Sequence, residues 1–296
     1  MQQFGRKLRV RFEGNGGSLT VNPDNQTDPQ QRIFVTITKS ISGSANISEL
    51  HIYNLSETSR NLIGREFTRV IIEAGYINDS GNSVGQIFNG QIRDPKHDRE
   101  GADWVTKVIL GDGEQAIRRS VVNAQFAAGS SVEDIVEVLF LQYEEQGVTR
   151  GERIFPEGLE PYARPVILNG SVKSELDKLG RSHGFYWSIQ NNVFEVMPSN
   201  GWLPQTTVIN SRTGLIGYPQ TTDNGIKLTA LINPQVRPKR LIKVESDFLD
   251  LNSDEGLYRV GKIDYVADSR GGQNSPFHMI IHAEAIKDGT VDEGEQ

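Results

Sequence analysis

Apolar side chains recur at every second position through the opening and closing thirds of this 296-residue chain. Leu8, Val10 and Phe12 sit two apart, as do Ile33, Val35 and Ile37, then Leu50 and Ile52, then Val70 and Ile72, then Trp104, Thr106, Val108 and Leu110. A period of two puts each set on one face of an extended strand, so these segments bury themselves as sheets laid on a core. Between them lie Gly14-Asn15-Gly16-Gly17, Asn22-Pro23-Asp24-Asn25 and Asn78-Asp79-Ser80-Gly81-Asn82. Glycine and asparagine tolerate positive φ, which favours tight reversals and antiparallel pairing. In the closing third, 226–232, 241–246, 258–267 and 277–285 are candidate strands, with Asp268-Ser269-Arg270-Gly271-Gly272 as a hairpin loop. One short helix is expected, with Ser56 capping 57–63 and Gly64 ending it.

The middle of the chain changes period. Val132, Ile135, Val136, Leu139, Phe140 and Tyr143 follow the three-and-four spacing of a helix face, and Ser130 with Glu133 has the form of a capping box. A second helix is expected over 172–183, with Ser171 as N-cap and Gly184 as the stop. Phe185-Tyr186-Trp187-Ser188-Ile189, a turn at Gln190-Asn191-Asn192, and Val193-Phe194-Glu195-Val196 then form a hairpin. The link 150–165 carries Pro156, Pro161 and Pro165 and is expected to be extended. The chain therefore reads as mainly β with an α+β insert: a β domain over 1–125, the insert over 126–205, a second β domain over 206–287, and an acidic, mobile tail over 288–296.

There is no cysteine, so disulfides, thiolate nucleophiles and cysteine-bound zinc are excluded. No apolar run approaches the roughly 18 residues of a spanning helix, and the start, MQQFGRKLRVRFE, alternates instead of running on as a signal peptide, so neither membrane insertion nor export is expected. A net charge of -7 argues against specific nucleic-acid binding, which needs a positive field. His278 and His282 have the four-residue spacing of a helical metal pair, but they fall on a candidate strand, where four residues span about 13 Å. His51, His97 and His183 stand alone. Asp250-Leu251-Asn252-Ser253-Asp254 opens like a calcium loop but continues with Glu255 where glycine is needed and Gly261 where a bidentate glutamate is needed. Gly14-Asn15-Gly16-Gly17 lacks the lysine and helix of a phosphate cradle. Glu133, Asp134, Glu137, Glu144 and Glu145 could suggest an acid and base pair, yet they occupy the solvent face of an amphipathic helix. Phe185, Tyr186 and Trp187 could form a sugar or base platform, but a hairpin packed on a helix needs that bulk in its core. No catalytic residue, cofactor site or metal site is expected.

The segments Ala45-Asn46-Ile47-Ser48-Glu49-Leu50-His51-Ile52-Tyr53-Asn54-Leu55-Ser56, Ile87-Phe88-Asn89-Gly90-Gln91-Ile92 and Gly111-Asp112-Gly113 resemble the first domain of phage tail baseplate hub proteins. Thr213-Gly214-Leu215-Ile216-Gly217-Tyr218-Pro219, the stretch 225–231 with Asn233-Pro234, and Tyr258-Arg259-Val260-Gly261-Lys262-Ile263 resemble the C-terminal barrel of that family. The resemblance implies two tail-tube-like antiparallel β-barrels per chain. It also implies a homotrimeric ring of pseudo-sixfold symmetry that joins a hexameric tail tube protein to a trimeric central spike protein, with a channel for DNA. Baseplate wedge and tape-measure proteins are further expected partners, the virion tail is the expected location after synthesis in the host cytoplasm, and no enzymatic activity is implied. Lys39, Ser40, Ile41, Ser42, Gly43 and Ser44 join two strands where tube-like proteins often contact the next ring. The same fold would also serve a hub of a phage-derived contractile injection or secretion system. A carbohydrate-binding or hydrolytic tail protein would instead need exposed aromatics beside a carboxylate cleft.

Overall fold

The computed structural model describes residues 5–15, 17–22, 30–41, 46–78, 81–246, 251–270 and 275–291. In chain order the first elements are β1 (Arg6–Gly14), β2 (Gly17–Val21), β3 (Ile33–Ser40), β4 (Ile47–Tyr53), α1 (Glu57–Leu62), β5 (Phe67–Asn78), β6 (Gly81–Asn82), β7 (Gly85–Glu100) and β8 (Asp103–Gly111). The middle holds α2 (Glu114–Arg119), β9 (Val121–Phe126), α3 (Val132–Glu144), β10 (Thr149–Arg153), β11 (Val166–Ser171), α4 (Val172–His183), β12 (Phe185–Gln190) and β13 (Val193–Pro198). The chain closes with β14 (Thr206–Ile209), β15 (Leu215–Thr222), β16 (Gly225–Ala230), β17 (Leu241–Val244), β18 (Leu257–Asp268), β19 (Phe277–Lys287) and β20 (Thr290–Val291).

The chain divides into two compact units, a β unit from the opening and closing stretches and an α+β unit over Asp112–Leu203. In the β unit a continuous path runs β15-β16-β19-β18-β3-β4-β8-β7-β5-β1-β2. The alternation is realised residue by residue: Ile33, Val35 and Ile37 are buried while Phe34, Thr36 and Thr38 between them are only half-buried. Thr106, Val108 and Leu110 are likewise buried, but Trp104 lies at the exposed start of β8, where the guanidinium of Arg60 stacks on its ring. Ser56 caps α1 as expected, its Oγ accepting the Ser59 N–H at 3.1 Å.

The opening and closing stretches, expected as separate β domains, share one sheet, and the division between them is a change of partner along β18. Its first residues pair with β17, Leu241 opposite Arg259, and β17 in turn pairs in parallel with β14. From Lys262 onward the strand pairs with β3, through to Asp268 opposite Phe34. The switch falls at a β-bulge between Val260 and Lys262, next to Gly261, and bulges let one strand bend from one sheet into another. Two barrel-like halves result, one with β14–β17 and one with β1–β8, each completed by part of the β18–β19 hairpin. Two ties draw in the free end of the larger half. The Tyr76 hydroxyl donates to the Phe277 carbonyl at 2.8 Å, and the Asn22 side chain both accepts from and donates to the Gln31 backbone at 2.8 Å.

The α+β unit packs α3 and α4 against the β12–β13 hairpin. Helix α3 starts one residue later than expected: Ser131, not Ser130, is the N-cap, and its capping box closes on Asp134, not Glu133. Helix α4 has the expected bounds, ending at Gly184, whose φ of 67° suits glycine. Asn191 and Asn192 have φ of 54° and 65°, the two positive values of a tight hairpin turn. Between Arg150 and Pro165 only Thr149–Arg153 is strand, pairing in parallel with β13. The unit begins well before the expected residue 126. Ala116 of α2 and Val122 of β9 are buried in its core, and β9 pairs with β11. At the other end of the chain the expected tail is partly ordered: Val291 is buried and pairs with Ile286, and 292–296 lie outside the described residues.

Candidate assembly surfaces

The segment Lys39–Ser44 leaves β3 at the point where that strand pairs with β18, Ser40 lying opposite Lys262. Lys39 is on the buried face, its ammonium 5.9 Å from the centre of the Phe88 ring. The Ser40 N–H donates to Asn46 Oδ1 at 3.0 Å, and Ile41 is half-buried. Ser42, Gly43 and Ser44 lie outside the described residues. The described part of the segment is thus anchored at its base by an apolar-face lysine and an asparagine clip.

The path ends on two edge strands, β2 and β15. Edges are the places where a sheet can recruit another chain, and natural proteins blunt those that must stay single. β15 is blunted along its middle: the register breaks between Ile216 and Gln220, Gly217 takes a φ of 68°, and Pro219 has no N–H to offer. The same distortion turns Tyr218 outward to 73% exposure, beside the exposed Ile216. This family-like segment therefore presents side chains more than backbone.

Gly111-Asp112-Gly113 turns out to be a structural device. A Cβ on Gly90 would lie 2.5 Å from the Gly111 carbonyl oxygen, and one on Gly113, at φ 65°, would lie 2.7 Å from Ile189 Cδ1. The buried Asp112 carboxylate accepts the N–H of Asn191 at 2.7 Å and of Asn192 at 2.9 Å, fixing the β12–β13 turn.

The groups considered for chemistry are dispersed. His278 and His282 sit opposite Val266 and Lys262 on β19, along one strand. His51 meets Glu49 at 2.7 Å, His97 meets Thr106 Oγ1 at 3.2 Å, and His183 meets the Tyr162 hydroxyl at 2.8 Å. Burial, the largest influence, holds the imidazoles of His97, His278 and His282 below their ordinary range. Among the described residues no three His, Asp or Glu side chains gather as metal ligands. In the calcium-like stretch, Asp250 lies outside the described residues, while Asn252 donates to the Thr222 carbonyl at 3.0 Å and accepts from the Tyr258 hydroxyl at 3.0 Å. Glu137 is paired with Arg153 and with Arg150, and Arg153 above all holds its carboxyl below the usual range. Trp187 and Phe185 are buried, and the indole N–H donates to Asp177 Oδ1 at 3.0 Å, so these two aromatics are core and offer no open platform. What sequence reasoning missed is the ion pair of Arg259, 1% exposed, with Glu284 at 2.5 Å. Its two members sit opposite each other on β18 and β19, a cross-strand relation visible only once the register is known.

Solved proteins with a similar fold include phage tail proteins and a type VI secretion component. The prophage MuSo2 43 kDa tail protein from Shewanella oneidensis superposes with a TM-score of 0.60 at 9% identity, over 98% of this chain and 100% of its own. The E. coli c3393 protein, described as a type VI secretion component structurally similar to the T4 bacteriophage tail proteins gp27 and gp5, gives 0.62 at 12% identity, over 98% and 79%. A tail protein from Neisseria meningitidis MC58 gives 0.59 at 12% identity, over 97% and 98%. Identities this low establish the fold alone. No curated protein sequence matches the chain at a significant level. The sequence itself decides the family: residues 8–283 match the model of the family described as Baseplate hub gp41, and the chain belongs to it. The resemblance to phage tail baseplate hub proteins is thereby borne out.

Proposed function

We propose that three copies of this chain form a ring of pseudo-sixfold symmetry that joins a hexameric tail tube to a trimeric spike and surrounds a channel for DNA. The observation that carries this reading is the partner switch of β18 at Gly261, which gives one chain two barrel-like halves. Three such chains supply six halves to meet a hexamer while keeping a threefold axis for the spike, and a closed ring leaves no unpaired end. The net charge of -7 suits a conduit that must not hold phosphate. The segment Lys39 to Ser44 is the proposed contact with the tube, wedge and tape-measure proteins are further partners, and the virion tail, after synthesis in the host cytoplasm, is the proposed location. The work is mechanical, with no turnover and no cofactor.

The test is the solution mass of the purified protein together with electron-microscope images. A species near three times the 32.9 kDa chain mass, seen as a threefold ring with a central opening, is the expected result. A compact monomer that persists at high concentration sinks the ring.

A further inference from the structure

The β unit contains a cleft of about 520 Å³ that no assembly role described above uses. It is lined by Tyr76, the start of β7, Gln205, Thr213 and the connector around Asn233. The frame is rigid. The Tyr76 hydroxyl is committed to Phe277, and burial pushes its pKa up to about 12. A Cβ on Gly85 would come 2.9 Å from Pro234, so β7 is pressed against the connector. The Asn233 side chain is occupied by the Gln235 N–H at 3.0 Å.

Three polar groups at the cleft are, in contrast, uncommitted. Among the described residues the side-chain amides of Gln86 and Gln235 and the guanidinium of Arg237 make no hydrogen bond or ion pair. Gln205 adds an independent sign. Its φ of 115° is a conformation that a residue with a Cβ rarely adopts, and it is held there by the Leu241 N–H on its carbonyl and by its own amide reaching the Gln235 carbonyl at 3.2 Å. Such outliers persist where the surrounding structure imposes them, and they cluster at binding sites.

We propose that this cleft binds an extended peptide segment bearing a carboxylate, contributed by a partner protein. Free side-chain amides match the donors and acceptors of a peptide backbone, and a lone guanidinium matches one carboxylate as a two-pronged donor. Among the described residues the lining holds no Asp, Glu, Lys or His, which leaves a metal without ligands there and a nucleic-acid backbone with a single positive charge. Among the described residues its one aromatic ring, Tyr76, is buried and opens no face for stacking a sugar.

The experiment exposes the full-length protein to a library of random linear dodecapeptides, made once with free C-termini and once amidated. Enriched peptides are then measured by fluorescence anisotropy against Arg237→Gln and Gln235→Trp, two exposed positions where melting temperature should be unchanged. Binding should weaken at least tenfold in Arg237→Gln and be lost in Gln235→Trp. Enrichment confined to free C-termini assigns the terminal carboxylate, whereas Asp- or Glu-bearing peptides enriched in both sets assign a side chain. Peptides held equally by wild type and Gln235→Trp, or no enrichment at all, would each overturn the proposal. None of these outcomes bears on the solution mass, so this cleft and the ring stand or fall separately.

Discussion

In the α+β unit the packed and hydrogen-bonded side chains described above lie within 80 positions of one another, whereas in the β unit some partners come from opposite ends of the chain. Trp187 finds its hydrogen-bond acceptor Asp177 only 10 positions away, and its ring lies 6.0 Å from Tyr143 and 6.1 Å from Phe194. Arg32, by comparison, pairs with Asp268 across 236 positions, and Tyr76 reaches Phe277 across 201. One unit is organised by an aromatic cluster inside a helix and hairpin, the other by hydrogen-bond ladders between distant strands. The first should therefore fail when a ring is lost and the second when conditions disfavour the pairing of distant strands.

The largest expected effect comes from removing the ring at the centre of the cluster. Phe194 is fully buried and lies 5.4 Å from Phe140 and 6.0 Å from Tyr143. Phe194→Ala should cost about 3–5 kcal/mol in the α+β unit, read as loss of amide-exchange protection in that unit. Tyr143 provides the control, because its buried hydroxyl has no hydrogen-bond partner among the described residues. Removing only that oxygen in Tyr143→Phe should leave stability unchanged or raise it. If Tyr143→Phe destabilised the unit as much as Phe194→Ala, ring packing would not be what holds it.

The same contrast explains what the sequence made legible. The bounds of helix α4 were readable and those of the hairpin after it nearly so, because Gly184 and the Asn191-Asn192 pair are local signals at positive φ, although Ser171 makes no side-chain cap bond. The shift of the α3 cap from Ser130 to Ser131 shows the limit of that locality. Two adjacent serines each have an acid three residues on, and the helix starts from Ser131, with Val132 and Ile135 buried. In the β unit, period two identified the faces of β1, β3 and β8 but could not say which strand pairs with which. The junction of β18 with β3 carries no local mark beyond Gly261. The short α2 and β9 escaped notice because a two-stranded ribbon with Val121 and Ile167 exposed lacks clean alternation. Of the proposed contact segment, the sequence showed the loop but not that Lys39 turns inward, since a lysine at a strand end reads as a surface charge.

A smaller effect tests whether the hairpin turn depends on one carboxylate. Asp112 accepts two backbone N–H groups, and in Asp112→Ala these donors are left unpaired beside a buried turn. The expected loss is about 1–3 kcal/mol, below that of Phe194→Ala, and the urea midpoint measures it. Replacement of Asn192, at φ 65°, by glycine keeps the left-handed turn and loses one hydrogen bond, from the side-chain amide to the Gly147 carbonyl, so it should cost less than the loss of both Asp112 bonds. A larger loss from the glycine variant than from Asp112→Ala would mean that the asparagine side chain, not the aspartate, holds the turn.

The smallest effect separates the two units by pH. His97, His278 and His282, all in the β unit, have imidazole pKa values below the ordinary 6.5: burial is the main cause in each, reinforced by Arg60, Arg6 and Lys227 respectively. The unfolded chain therefore takes up these protons first as pH falls, so the stability they permit is complete above about pH 6.5 and declines below it. Glu137 of the α+β unit is shifted in the same direction but from 4.5, chiefly by Arg153, so its contribution persists down to the carboxylate range. Between pH 7 and pH 5.5 the β unit should lose protection while the α+β unit does not. Hydrogen exchange corrected for intrinsic rates, comparing peptides over 277–285 with peptides over 185–196, measures the difference. The triple variant His97→Gln, His278→Gln, His282→Gln should abolish it. Equal acid sensitivity in both segments, or a difference that survives in the triple variant, would show that the sheet's long-range strand pairing is not what protonation strains.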